Sequence, residues 1–265
     1  MVDCHTHVFP PKVAARLAAT IGEEFGRLPA GDGSAPDLLK HLDRAGLESA
    51  ICFTAALKPD QMIPANSWMI RLRLEEPRLI PLGTVHPHHP DWPAELDRLE
   101  GNGIRGLKIH PDLAGIPLQA QDWKEIWRHA AGRFFILVHM GPTHMGGASM
   151  SHPQDLAHIM DTHPRLRVIA AHLGGIGQWE AALNDLAGRD LFLDTSCCAE
   201  VINPELFCRL ASRHAPSRLL FGSDYPLFSP ARELEKLSRL LSGCGLSISE
   251  ILDNGKSLAA MLQLA

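Results

Sequence analysis

Eight short runs of apolar and β-branched residues recur along the chain at intervals of about one strand plus one helix: 2–7 (VDCHTH), 49–55 (SAICFTA), 79–85 (LIPLGTV), 104–110 (IRGLKIH), 134–139 (FFILVH), 166–172 (LRVIAAH), 191–196 (LFLDTS) and 218–224 (RLLFGSD). Runs of this length read as buried strands, and a helical stretch between successive strands makes them parallel. Eight such units point to a closed parallel barrel rather than an open sheet, an α/β fold of the (β/α)8 or TIM-barrel class. The 265 residues, 45% of them hydrophobic, suit one large core. No linker interrupts the pattern, so residues 1–265 are expected to form a single domain.

The intervening stretches carry helix signals. In 37–46, Leu38, Leu39 and Leu42 fall on one face and Gly46 stands where a C-terminal cap belongs. Trp92, Leu96 and Leu99 repeat with helical spacing after Asp91, and Pro153 opens a helix with Leu156, Ile159 and Met160 as its stripe before Pro164 closes it. Trp123 and Trp127 share a face. These stripes read as core.

A formal net charge of −5 without a basic stripe argues against a nucleic-acid surface. No apolar stretch approaches a membrane span, and Asp3, His5 and His7 interrupt the start where a signal peptide would be basic and then apolar. The six cysteines, Cys4, Cys52, Cys197, Cys198, Cys208 and Cys244, show no C-x-x-C pair, which fits reduced thiols. Strand parity turns Cys4 away from its histidine neighbours, to pack as a small hydrophobe. The expectation is a soluble cytoplasmic protein acting on a small molecule, with homo-oligomer formation left open.

The polar residues fall at the ends of the runs. His86, His110, His139, His172 and Asp224 end or adjoin the third, fourth, fifth, sixth and eighth, and the C-terminal ends of barrel strands are where active sites form. His5 and His7, two apart on the first strand, present two imidazoles to one face, half of a site for a borderline divalent ion.

Together these segments resemble the amidohydrolase superfamily, in its amidohydrolase-2 branch that includes aminocarboxymuconate-semialdehyde decarboxylase. The resemblance rests on D-C-H-T-H at 3–7, G-I-R-G-L-K-I-H-P at 103–111, V-H-M-G at 138–141, A-H-L-G-G at 171–175 and F-G-S-D-Y-P at 221–226, in the family's order. Softer matches are D-R-A-G-L-E-S-A at 43–50, Asn66 and Asn254. The resemblance implies a distorted barrel in which His5, His7, His139 and Asp224 hold one divalent ion, with zinc expected because three imidazoles, a carboxylate and an open water position suit a catalytic site. It gives Asp224 the further task of taking the water's proton and passing it to the leaving group, and sets His172 beside it as proton acceptor or oxyanion stabiliser.

Lys108 and His110 share a face near the end of the fourth run and are candidate substrate contacts, Lys108 for a carboxylate. In more distant branches a lysine at this place is carbamylated and bridges two ions; the resemblance here favours one. His86 could reach the site, while His88 and His89 read as solvated. The glycine-rich 140–150 reads as a mobile loop with His144 as a candidate contact, and the long segment 8–36, with Lys12, Arg16 and Arg27, as a lid. The reaction implied is hydrolysis of a small carbonyl compound such as a lactone or amide. Non-oxidative decarboxylation of an unsaturated or aromatic carboxylate is the alternative, and a non-catalytic metal-stabilised binding protein is the reading from another class.

Overall fold

The computed structural model describes residues 1–143 and 146–264, so the expectation for His144 lies outside the described residues. In chain order, strand β1 (Val2–His7) is followed by helices α1 (Ala14–Glu24) and α2 (Ala35–Ala45), then β2 (Ser49–Phe53), α3 (Met62–Glu75), β3 (Leu79–Pro81), β4 (Gly83–Thr84), α4 (Trp92–Gly101), β5 (Gly106–Ile109) and α5 (Pro111–Ala114). Next come α6 (Lys124–Ala130), β6 (Phe135–Val138), α7 (Pro153–Thr162), β7 (Arg167–Ala170), α8 (Trp179–Asp185), β8 (Phe192–Asp194), α9 (Pro204–Arg213), β9 (Leu219–Leu220), α10 (Pro230–Gly243) and α11 (Ile248–Gln263). All paired strands run parallel, in the orders β1-β2-β3 and β4 through β9.

The two sheets form one barrel. Cys4 N donates to Phe221 O at 2.8 Å and His7 N to Tyr225 O at 2.7 Å, which closes the eighth run onto β1. β3 and β4 are two halves of the third run, broken at Leu82, whose N–H still reaches Cys52 O at 2.8 Å. Asn66 of α3 supports the second half: its Oδ1 accepts from Thr84 N at 2.8 Å and its Nδ2 donates to Thr84 O at 3.0 Å. Buried backbone groups at a strand break need such partners. Asn254 of α11 similarly donates to Pro216 O and Leu219 O, at 2.8 and 2.9 Å.

Strand alternation separates two apolar layers. Ile136 and Val138 face outward into the layer shared with the helices, while Phe135 and Leu137 face inward. The inner cluster also holds Ile51, Phe53, Ile169, Phe192 and Leu220, together with Leu258, Ala259 and Leu262 of α11, which plugs the lower end. Gly255 lets that helix sit close, since a Cβ there would come within 3.1 Å of Cys4 Sγ and 3.2 Å of Val2 Cβ.

Most of the expected helix faces form as read. Leu38 and Leu42 are buried and Gly46 caps α2 in the left-handed region (φ 67). Trp123 and Trp127 stack with centroids 5.6 Å apart. Two expectations need correction. Cys4 is buried, but inside the barrel beneath the histidines rather than facing away, because the register of β1 against β2 shifts between Asp3 and Thr6 and breaks simple parity. Cys208 and Cys244 are joined in a disulfide across 36 residues, contrary to the reading of six reduced thiols; the packing of α9 on α10 brings the pair together, which residue spacing does not reveal. Cys4, Cys52, Cys197 and Cys198 are free. No helix among the described residues is long and apolar enough to cross a membrane.

Candidate metal centre

At the upper end of the barrel the inward positions turn polar. His139 continues the inward row of Phe135 and Leu137, Lys108 and His110 lie on the inward side of β5, and Asp194 and Ser196 follow Phe192 at the same parity. His5 and His7 come up β1. Asp224 arrives from the far end of the chain, its N–H donating to His5 O at 2.9 Å. Its backbone (φ 64) and that of His172 (φ 59) occupy the left-handed region, which costs a non-glycine residue about 1–3 kcal/mol and collects at functional sites. Gly222 makes the approach feasible, since a Cβ there would lie 2.7 Å from His5 Cβ.

Ligand atoms of His5, His7 and Asp224 all lie within 4.8 Å of one another. His7 Nε2 is 3.2 Å and His5 Nε2 3.4 Å from Asp224 Oδ1. His5 Nδ1 is 2.9 Å from Asp194 Oδ2, both side chains fully buried. Burial pushes the His5 pKa down to about 4, so at neutral pH its ring is uncharged and donates its single proton from Nδ1 to Asp194. That leaves a lone pair on Nε2, which has no hydrogen-bond partner and faces the oxygen of Asp224. Burial alone would raise the Asp224 carboxyl, but the hydrogen bond from His7 and the neighbouring histidines hold it well below the usual carboxylate range. A lone pair set against a carboxylate oxygen is repulsive unless a cation lies between them, so these residues fit a divalent ion.

A second chain of hydrogen bonds prepares His139. His172 Nδ1 donates to Ser196 O at 3.1 Å, so the neutral ring offers Nε2 as acceptor to His139 Nδ1, also at 3.1 Å. His139 then keeps a lone pair on Nε2, buried and without a partner. Burial lowers the pKa of both rings, His139 well below the ordinary value. His172 lies beside His5, with ring centroids 5.0 Å apart, whereas His139 groups with His110 and Asp112 rather than with the ligand atoms of His5, His7 and Asp224.

A second group of ligand atoms, from His110, Asp112 and His139, also lies within 4.8 Å. It fits an ion less well. Asp112 Oδ1 accepts from Met150 N at 2.7 Å, its Oδ2 accepts from Ser151 Oγ, and His110 Nδ1 accepts from Leu113 N at 3.3 Å. These bonds tie Met150 and Ser151 to α5.

A cavity of about 460 Å³ opens above the cluster, with His7, His110, His139, His172 and Asp224 in its wall. His110 stacks on His139 with ring centroids 3.7 Å apart. Lys108 is not in the wall: it is fully buried beneath, its Nζ 4.7 Å over the Phe53 ring and without a hydrogen-bond partner. Burial lowers its pKa to about 8, against the pull of Asp194 and Asp224. His86 is buried away from the wall, and His88 is solvated and paired with Asp122 at 2.8 Å. The segment 8–36 contributes α1 to the wall, while Lys12, Arg16 and Arg27 are not part of it.

Asp194 and Ser196 were not singled out from the sequence. The signal was present: a carboxylate at inward parity in an otherwise apolar run, LFLDTS, with a hydroxyl two residues on.

Residues 2–242 match the family model described as amidohydrolase (Amidohydro_2). Among solved structures the chain is similar to 5-carboxyvanillate decarboxylase from Sphingomonas paucimobilis, at 12% identity over 99% of this chain and 98% of that one, with a TM-score of 0.71. It is similar to a putative 2-pyrone-4,6-dicarboxylic acid hydrolase from Pseudomonas putida, at 16% identity over 100% and 98%, with a TM-score of 0.66. An amidohydrolase from Burkholderia multivorans with bound zinc is similar at 17% identity over 100% and 99%, with a TM-score of 0.70. At such identities the likeness is one of fold. No curated protein matches the sequence.

Proposed function

The chain belongs to the amidohydrolase family, and from that membership and the geometry of the rim we propose that it is a metal-dependent hydrolase of a small carbonyl compound, a lactone or an amide. The observation that carries this reading is the His5 Nε2 lone pair, buried and without a partner, facing an ionised Asp224. His5, His7, His139 and Asp224 would hold one divalent ion, with zinc the choice that suits three imidazoles and a carboxylate. When bound, such an ion supplies Lewis acidity, lowering the pKa of a water toward neutrality.

The side chains do the rest. Asp224 accepts the proton of the attacking water as the water oxygen bonds to the carbonyl carbon, then returns it to the alcohol or amine as the C–O or C–N bond breaks. His172 can take up a proton only when its contact with His139 opens, and once charged it would stabilise negative charge on the substrate oxygen. His110 reaches the cavity and would hydrogen-bond the substrate. Lys108 would act from beneath through the field of its charge.

Decarboxylation of an unsaturated or aromatic carboxylate is the second reading, supported by the likeness to a decarboxylase structure. Turnover of a lactone, amide and aryl carboxylate panel in ¹⁸O-labelled water by the zinc-loaded protein separates the two. Hydrolysis puts label into a new carboxylate and releases no CO2. Release of CO2 without labelled acid would replace the first reading with the second.

A further inference from the structure

The cavity extends well past the histidines, and helix α1 forms one wall of it. Ala14, Ala18 and Gly22, at four-residue spacing, are the buried residues of that helix, and a Cβ on Gly22 would come within 2.7 Å of both Arg27 O and Pro29 Cδ. Small residues therefore let the helix lie close to the body of the protein. Another face carries Leu17 and Ile21, continued at the same spacing by Phe25, and all three line the cavity while remaining partly exposed. Leu57, Pro64 and Leu113 also line it. Large apolar side chains turned to a cavity rather than to the core complete their burial only when something apolar fills it.

Charge on this wall has one sign. Among its described residues there is no lysine or arginine, and besides Asp224 its acidic groups are Glu24 and Asp60, both exposed. Lys12 and Arg16, before and on α1, are exposed and outside the wall, and Arg27 after the helix is turned over the Phe228 ring at 3.9 Å.

We infer that this site takes a substrate whose reacting carbonyl sits at the histidine cluster and whose remainder is an uncharged apolar group held against Leu17, Ile21 and Phe25, and that it excludes substrates with a second carboxylate at the far end. This deepens the hydrolase reading and rests on it. An ionised far end would be desolvated among apolar side chains without a cation to receive it and would meet the like charges of Glu24 and Asp60.

The test uses the zinc-loaded protein with a neutral solvatochromic naphthyl ketone as fluorescent probe. Competitors are straight-chain primary amides of increasing length and the same amides ending in a carboxylate. Each added methylene should tighten binding about three- to fourfold until the cavity is filled, and a terminal carboxylate should weaken it at least about tenfold. Glu24→Lys should recover part of that loss. Ile21→Asn should weaken the longest amides about tenfold and the shortest little, with zinc content unchanged. Affinity independent of chain length, no binding of the probe, or terminal carboxylates binding as tightly as neutral amides would overturn the inference. If long amides bind as expected but no carbonyl compound yields acid or CO2, the reaction assignment fails and the pocket assignment stands.

Discussion

At the lower end of the barrel Phe135 and Leu137 point inward and pack in one cluster with Leu220, Phe192 and the α11 residues Leu258 and Leu262; two residues further along the same strand, His139 points inward with no partner for Nε2. The change repeats from Phe192 to Asp194 and Ser196, and from Gly106 to Lys108 and His110. Below, buried apolar side chains form one cluster and one helix closes the end. Above, among the described residues, three buried side-chain nitrogens of this interior lack hydrogen-bond partners: His5 Nε2, Lys108 Nζ and His139 Nε2. Buried polar atoms are normally satisfied, so the upper end gives up stability that the lower end supplies, and variants at the two ends should fail in different ways.

The largest effect is expected at the rim. Asp224→Asn keeps the shape but cannot take a proton, so turnover should fall by about a hundred- to ten-thousand-fold, the range for a general base, while the thermal midpoint changes little. Near-normal kcat on the substrate found by the panel would remove Asp224 from the proton path and blur the division between the ends.

At the lower end the reverse should hold. Leu258 is fully buried against the inner strand residues, and Leu258→Ala should cost about 2–5 kcal/mol of stability through lost burial and the cavity left behind. Zinc bound per folded molecule should stay at the parent value. Denaturant unfolding and elemental analysis together check this; loss of metal in protein that remains folded would show the two ends to be coupled.

Acid should act chiefly on the rim histidines. In chelator-treated protein, His5 has a folded pKa of about 4 against an ordinary value of 6.5, so the unfolded chain binds its proton first. The resulting stabilisation is fully present above pH 6.5 and is lost as pH falls toward 4, by about 3 kcal/mol for this group. His110, His139 and His172 are shifted in the same direction by burial. Asp3 opposes them: burial raises it from 3.8 to about 7, so its contribution is complete below 3.8 and is lost as pH rises through 7. Stability measured by urea unfolding should therefore rise from pH 4 to 6.5, and Asp3→Asn should steepen that rise. A flat profile would show these rings to be hydrated in the folded protein.

Much of this division is legible in the sequence, because strand parity and the position of a residue within its run fix both its face and its height. That logic turns His139, Lys108 and His110 inward from residue order alone, but it does not report that Lys108 is buried below the cavity wall, nor the left-handed backbone beyond β9 that brings in Asp224. It fails where local backbone departs from regular alternation, as in β1, where a register shift puts both Cys4 and His5 inside. The helix in 8–36 escapes because its packing face is made of Ala14, Ala18 and Gly22 rather than a stripe of large residues. The Cys208–Cys244 pair depends on how two helices pack, which periodicity within either helix cannot report.

Asp194 is the residue that parity reaches and motif reading passes over, and it gives the smallest and sharpest test. It is not itself part of the cavity wall. Its Oδ2 receives His5 Nδ1 at 2.9 Å, while its Oδ1 accepts from His172 N at 3.2 Å and Ser196 N at 3.1 Å. Burial works against its charge, but His5, His172 and Ser196 hold the carboxyl well below the usual range, so it stays ionised. Its effect on metal passes through His5: it fixes the tautomer that leaves Nε2 free and makes that nitrogen a better donor. Asp194→Asn keeps the volume and can still accept from Nδ1, yet loses the charge and brings an amide N–H that favours the wrong tautomer. Zinc affinity, read by competition with a chromophoric chelator, should fall about ten- to a hundredfold, a smaller loss than His5→Ala should produce, with the unfolding midpoint of the metal-free protein showing whether the fold is retained. Unchanged affinity in a folded Asp194→Asn protein would mean that His5 is oriented by the barrel wall alone, and that the polar end begins one residue higher than the hydrogen bonds suggest.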